Sequence, residues 1–359
     1  MSAVAVIACD HGLGHVRRSV LNAEALRRAG AEVTLLAPVP AVRRVRAVLG
    51  LEGASGVRVL DFATETSPAA LRSAAPRTVQ WHERLPDLSS FDRVVIDTLP
   101  EALERRPDAI LVAQFLWHDV ITGIEPSIRR RALALAERAR LVIGSAPFAM
   151  PSVRALPGFR EVGLHRREPN ERAVDTDALD LLIAGGATDA LSDALRTLVD
   201  SLVGIGPGPY RNVHVDAALL PADPPPWLRP ATHTPAMYDA LRAAVVRPGL
   251  GTVTELLARG VPIHCVREAD NAELAHNAGV IVGLGAGIDH GFPTAALAAS
   301  LIDERGDPTG NDPTGNARNA ASLRFDGADR TADLVLSGSF GSASSPAIGE
   351  EESDFRAPR

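Results

Sequence analysis

Short apolar runs and amphipathic stretches alternate along this chain. Ala3 to Ala8 is an unbroken apolar run that leads into a Gly-rich turn, the pattern of a strand buried on both faces. From Arg17 to Ala29, Val20, Ala23 and Leu26 recur at helical spacing and Gly30 closes the segment. Glu32 to Ala37 is the next strand. Strand, helix and strand in this order predict a βαβ unit with parallel pairing and a right-handed crossover. Val57 to Asp61, Arg93 to Asp97, Ala109 to Ala113 and Leu141 to Gly144 continue the strands, with Pro126 to Arg140 the clearest helix between them.

The pattern breaks from Pro157 to Asp177, where Pro157, Gly158, Pro169 and many charges replace periodicity. This predicts a linker. A second series then starts. Leu179 to Ala184 is a strand and Asp189 to Leu202 a helix, with Asn212 to Val215 a further strand. Pro235 to Ala243 reads as a helix, Ala244 to Arg247 as a strand and Pro248 to Thr252 as a Gly-rich loop. Val253 to Arg259 is a helix closed by Gly260, Val261 to Val266 a strand, and Ala272 to Ala278 a helix. Residues 307–311 and 312–316 repeat Asp-Pro-Thr-Gly-Asn as a turn-rich loop, and helices are expected in Ala317 to Leu336. The expected organisation is α/β, with one domain over 1–157, a linker over 158–177, a second domain over 178–336 and a disordered tail over 337–359.

Composition narrows the class. The 359 residues are 46% hydrophobic, chiefly Ala, Val and Leu, and only 4% aromatic. That suits helices on a parallel sheet, and the length supports about two domains. The net charge of −7 gives no global attraction to nucleic acid. All 37 basic side chains other than His are Arg. Schiff-base lysine chemistry and the P-loop lysine are therefore excluded. Any phosphate must be held by backbone N–H groups, hydroxyls or Arg. The two cysteines, Cys9 and Cys265, are far apart, which argues against a disulfide framework and for the cytoplasm. The N-terminus lacks the pattern of a signal peptide and no apolar run is long enough to span a bilayer. Arg43, Arg44 and Arg46, and Arg129 to Arg131, form basic clusters suited to a solvated face or to peripheral membrane contact.

Candidate chemistry gathers in the loops that follow strands. Gly12, Gly14 and His15, with Arg17 and Arg18 behind, sit where the first strand turns into the first helix. Free N–H groups there can meet an anion or a sugar hydroxyl. His15 at this turn can accept a proton, or serve only as a structural cap. The loop Arg247-Pro248-Gly249-Leu250-Gly251-Thr252 repeats the arrangement. The N–H groups of Gly251 and Thr252 can cradle a diphosphate, and Glu255 one turn on can take two vicinal ribose hydroxyls or complete a capping box. Gly185, Gly186 and Thr188 follow the first strand of the second half. Asn271 and Glu273, with His276 and Asn277, follow the strand ending at Val266 and suit sugar hydroxyls or a plain helix start. Asp97 ends a strand and can polarise His15 or cap a helix, and Trp117-His118-Asp119 follows another strand. Asp97 and His118 are candidates for the acceptor side, His118 alternatively for a packed structural role. Asp175-Thr176-Asp177 has the Asp-x-Asp spacing of a metal site but reads as solvated loop acid.

The run Arg247 to Val266, followed by Asn271-Ala272-Glu273 and His276-Asn277-Ala278, resembles the donor-binding motif of GT-B glycosyltransferases. It looks closest to the lipid II-forming N-acetylglucosaminyltransferase and to macrolide-type transferases. The Gly-His-x-x-Arg element beginning at Gly14 also resembles the UDP-sugar hydrolase of the pseudaminic acid pathway. The resemblance implies two Rossmann-like domains facing across a cleft, with neither a metal nor a cofactor. It implies a nucleoside-diphosphate sugar as donor and a small molecule or glycan as acceptor. His15 would be the catalytic base or would orient the acceptor. Gly185 to Thr188 and Gly249 to Thr252 would contact the diphosphate, Glu255 the ribose, and Asn271 and Glu273 the sugar. The Asp/Glu-Gln pair usual in these transferases is replaced here by Asn271 and Glu273, which leaves the sugar open. A hydrolase using water on the same scaffold, and a subunit that binds donor without catalysis, remain alternatives.

Overall fold

The computed structural model describes residues 1–53, 55–65, 72, 80–167, 179–185, 189–293, 295–302 and 323–338. The first half contains β1 (Ala3–Ile7), α1 (Leu13–Arg28), β2 (Glu32–Ala37), α2 (Val39–Leu49), β3 (Arg58–Asp61), β4 (Arg93–Asp97) and β5 (Ile110–Val112). It continues through α3 (Trp117–Val120), α4 (Pro126–Glu137), β6 (Val142–Ser145), α5 (Pro151–Arg154) and β7 (Phe159–Val162). All described pairs are parallel, and the sheet runs β3-β2-β1-β4-β5-β6-β7.

The second half begins with β8 (Asp180–Ala184), α6 (Asp189–Ile205), β9 (Asn212–Val215), β10 (Leu228–Pro230), α7 (Pro235–Asp239) and β11 (Leu241–Val246). It adds α8 (Leu250–Leu257), β12 (Ile263–Cys265), α9 (Ala272–Gly283), β13 (Gly287–Asp289) and α10 (Ala295–Ile302). Its parallel sheet runs β10-β9-β8-β11-β12-β13. Each sheet thus reverses its strand order between its first and fourth strands, the doubly wound arrangement.

The strands are apolar on both faces because both faces are covered. Val4 and Val6 of β1 enter one core with α1 and α2, while Ala5 and Ile7 enter a second core on the opposite face. In β8, Leu182 and Ala184 face one core and Leu181 and Ile183 the other. The period of two sends neighbours to opposite faces, and burial of each Val, Leu or Ile contributes about 1.5–3 kcal/mol.

Several expectations are corrected. The segment assigned to the linker contains β7, which joins the edge of the first sheet beside β6. Helix α1 starts at Leu13, because Gly12 at φ +87° supplies the N-cap, so His15 lies inside the first turn. The helix expected over Pro235 to Ala243 stops at Asp239, and Leu241 and Ala243 instead join β11, where the sheet buries them. The last described helix, α11 (Gly327–Ser337), was expected within the second domain. It packs on the first: Ala328, Ala332 and Val335 join the core of α1, and Arg28 pairs with Asp329 at 2.6 Å. The tail assigned from 337 starts inside α11, which runs to Ser337. Gly186, Thr188, Asp175 to Asp177, the tandem repeat and residues 339–359 lie outside the described residues.

Candidate functional site

Both strand-order reversals open toward one crevice. The loop after β1 and the end of β4 flank the first reversal, and the loops after β8 and β11 flank the second. Open parallel sheets hold ligands at such points, outside the carboxyl ends of the strands. The two helices that start there, α1 and α8, meet end to end. A Cβ on Gly251 would lie 3.9 Å from Gly14 Cα and 3.7 Å from Arg17 Cδ. Both helices begin at a glycine, Gly12 and Gly249, without a side-chain cap and without an acidic residue in the first turn. First-turn N–H groups have no partner within a helix, so two positive helix ends point at the same space.

His15 faces this space from α1. Its Nδ1 lies 2.6 Å from Asp97 Oδ1 at the end of β4. An ionised carboxylate accepts only, so Nδ1 carries a proton, and it is Nε2 that holds the lone pair whenever the ring is neutral. Burial pushes the Asp97 carboxyl up, but Arg18 and His15 outweigh it and hold the carboxyl far below the usual range. Arg18 grips both oxygens, with Nε donating to Oδ2 at 2.7 Å and Nη2 to Oδ1 at 2.9 Å. Thr98 donates to Oδ1 at 2.9 Å and accepts from Arg18 at 2.8 Å. Thr98 has φ +62°, costly for a β-branched residue, and these bonds hold it there. Phe115 and Trp117 pack against the His15 ring at 5.6 and 5.5 Å between centroids, and His11 meets Trp117 edge-on at 4.9 Å.

The second half supplies the opposing wall. Glu255 on α8 is buried, and its carboxylate receives Arg17 of α1, Arg166 at 3.4 Å and Arg259 at 2.6 Å. Burial raises its pKa, and the three guanidinium groups more than reverse this. Arg17 therefore ties the first half to α8 of the second. Glu273 on α9 bonds Asn277, whose Nδ2 donates to Pro248 O at 3.0 Å. Burial pushes the Glu273 carboxyl up, against the opposing charges of His15, Arg247 and Arg18. His11 is shifted down by burial and then by His15, with Arg247 adding to the effect. His15, Arg18, Arg247 and Glu273 thus form one electrostatic neighbourhood across the crevice.

Several expected residues hold other partners. His118 is fully buried, with Nε2 2.7 Å from Glu101, so its side chain does not line an acceptor side. Its helical position turns it inward, under β4 and β5. The N–H of Gly185 donates to Asp216 at 3.0 Å, and that of Gly249 donates to Arg247 O at 2.7 Å. Asn271 Oδ1 caps α9 through the Leu274 N–H at 3.1 Å. Sequence reasoning gave no role to His11, Phe115, Arg18 or Arg166. Arg18 was legible as a second basic residue one position past Arg17, but only the fold shows that the two point to different domains. Among the described residues, no group of three or more His, Cys, Asp or Glu side chains is placed to hold a metal ion, and no helix is long and apolar enough to cross a membrane.

No family model and no curated protein matches the chain. Solved structures do. The calicheamicin glycosyltransferase CalG4 superposes with TM-score 0.63 at 19% identity, over 94% of this chain and 98% of that one. The glycosyltransferase SnogD from Streptomyces nogalater gives 0.60 at 19%, over 93% and 99%. The spinosyn rhamnosyltransferase SpnG, complexed with thymidine diphosphate, gives 0.59 at 18%, over 94% and 99%. The chain therefore has the GT-B fold of these glycosyltransferases, along nearly its whole length and theirs.

Proposed function

We propose that this chain is a glycosyltransferase that moves a sugar from a nucleoside diphosphate to an acceptor hydroxyl, with His15 as base. The observation that carries the reading is the His15–Asp97 pair set beside two uncapped, glycine-led helix ends. His15 Nε2 takes the proton of the acceptor hydroxyl while Asp97 holds Nδ1–H. The acceptor oxygen then bonds to the anomeric carbon, and the bond from that carbon to the diphosphate breaks. The diphosphate leaves with the electron pair and is met by the N–H groups of Gly251 and Thr252. Arg247 adds positive charge beside it. In this scheme the protein itself offsets the leaving charge, without a metal ion.

Glu255 would accept the ribose hydroxyls, which requires Arg17 to yield one carboxylate oxygen. Glu273 and Asn271 would meet the sugar, Glu273 through its carboxyl and Asn271 through its amide nitrogen. Gly12 and Gly14 leave the mouth of the acceptor side open, since a Cβ at either would meet nothing within 4 Å. The complexes with thymidine diphosphate support a nucleotide donor.

The test is a thermal-shift panel of UDP-, dTDP-, GDP- and CDP-sugars, followed by turnover with and without acceptors. A binder present at about 100 times its Kd stabilises the native state by about 2.7 kcal/mol. Failure of every nucleotide to bind removes the donor site. Free sugar released as fast without acceptor as with it means that water, not an acceptor, is the attacking group.

A further inference from the structure

Asp97 does not face His15 as a lone carboxylate. Its Oδ1 accepts from three donors, His15 Nδ1, Arg18 Nη2 and Thr98 Oγ1, and its Oδ2 takes Arg18 Nε. Arg18 Nη2 also lies 3.3 Å from His15 Nδ1. Both are donors here, so they repel one another, and the shared carboxylate, with Thr98 Oγ1 beside it, holds them together. Arg18 and Asp97 are 9% and 2% exposed, which leaves little water to screen either charge. The imidazole therefore meets a negative and a positive charge at 2.6 and 3.3 Å, which act on its proton in opposite senses.

We propose that Arg18 is a positioning residue that fixes the Asp97 carboxylate and balances its charge, so that His15 works as a neutral base. The proposal rests on His15 being the base. A lone carboxylate at that distance favours the imidazolium form, which has no lone pair for the acceptor proton. The fork of Arg18 keeps the orienting hydrogen bond and opposes that bias. Arg17, the next residue back, points to Glu255 and does not share the role. The other charged groups facing His15 are His11 from the loop before α1 and Glu273 from α9, with Arg247 after β11 facing both of these.

The experiment compares pH profiles of kcat/KM for the unaltered protein, Arg18→Met, Arg18→Lys and the double variant Arg18→Met with Asp97→Asn. His15 is followed in parallel by NMR titration of its ring, a readout that needs no turnover. Arg18→Met leaves the carboxylate unbalanced, and the acid limb and the ring midpoint are expected to move up together by about one pH unit or more. Arg18→Lys keeps the charge but loses the fork, so the acid limb is expected to stay while kcat falls. The double variant removes both charges and leaves no unpaired ion in the interior. Its midpoint is expected to stay at the unaltered value.

A midpoint unmoved in Arg18→Met overturns the proposal. If that variant does not fold, the double variant decides alone: a midpoint lower by about a pH unit would mean that Asp97 acts on His15 unbalanced. Unchanged turnover in His15→Ala would instead remove the functional reading, while the ring titrations would still report on Arg18.

Discussion

Glu255 offers the sharpest test of how the two halves are held together. Replacing it by Gln keeps the shape and removes the charge. Arg17 and Arg166 then lose the only carboxylate paired with them among the described residues, whereas Arg259 keeps Asp239 at 2.7 Å. The side chains of Arg17, Arg166 and Glu255 are 12%, 9% and 8% exposed, so solvent can compensate little. Removing one partner of a buried pair costs about 3–5 kcal/mol. The expected outcome is a loss in that range, measured by urea unfolding at pH 7 with the slope unchanged. A second arm fixes the cause. The folded-state pKa of Glu255 lies below its ordinary value, so its contribution is complete above that value and disappears as pH falls through the folded pKa. The gap between the unaltered protein and Glu255→Gln should therefore close in acid. A loss below about 1 kcal/mol, typical of an exposed pair, would refute the reasoning, as would a gap that persists in acid.

Other outcomes follow from single sites. His15→Ala should lower kcat by about 10²- to 10⁴-fold with little change in nucleotide affinity, measured by steady-state kinetics and calorimetry; equal loss of binding would make His15 a structural residue. Gly185→Ala would drive a methyl into Leu195, and overpacking of this kind costs about 1–3 kcal/mol. Unfolding midpoints check it, and an unchanged midpoint would show that Leu195 moves freely. Burial holds His165, between Ser145 and Thr331, down at about 3, so the unfolded chain binds a proton there that the folded chain refuses. Stability should fall as pH drops from about 6.5 toward 3, by up to about 1.4 kcal/mol per unit. The slope should be shallower by one proton in His165→Gln, and equal slopes would show that His165 does not titrate in this way.

Much of this molecule is written locally. The apolar runs ending at Ile7, Asp97 and Ala184 could bury themselves only as parallel strands covered on both faces, and the glycines after them had to be turns into helices. That is why the doubly wound architecture and the turns from β1 into α1 and from β11 into α8 were legible without coordinates, although both helices start earlier than expected, at Leu13 and Leu250. Short edge elements such as β7, β10 and β13 were not, because three or four residues carry too little periodicity to distinguish a strand from a loop.

The partners of the polar side chains belong to the tertiary structure alone. His15 and Asp97 stand 82 positions apart, and Arg17 and Glu255 stand 238 apart. No local pattern fixes which charge meets which across such separations. Sequence spacing allowed His118 a cleft position but favoured a packed structural one, and the packing of α3 against the core placed it inside with Glu101. The same holds for α11: helices were expected in Ala317 to Leu336, but whether one covers the second sheet or returns to α1 depends on which surface is left open once both sheets have formed. Local sequence determined where strands turn into helices and which residues those turns carry. Folding decided which of them share a buried carboxylate, since burial makes an unpaired charge costly and so selects the partners.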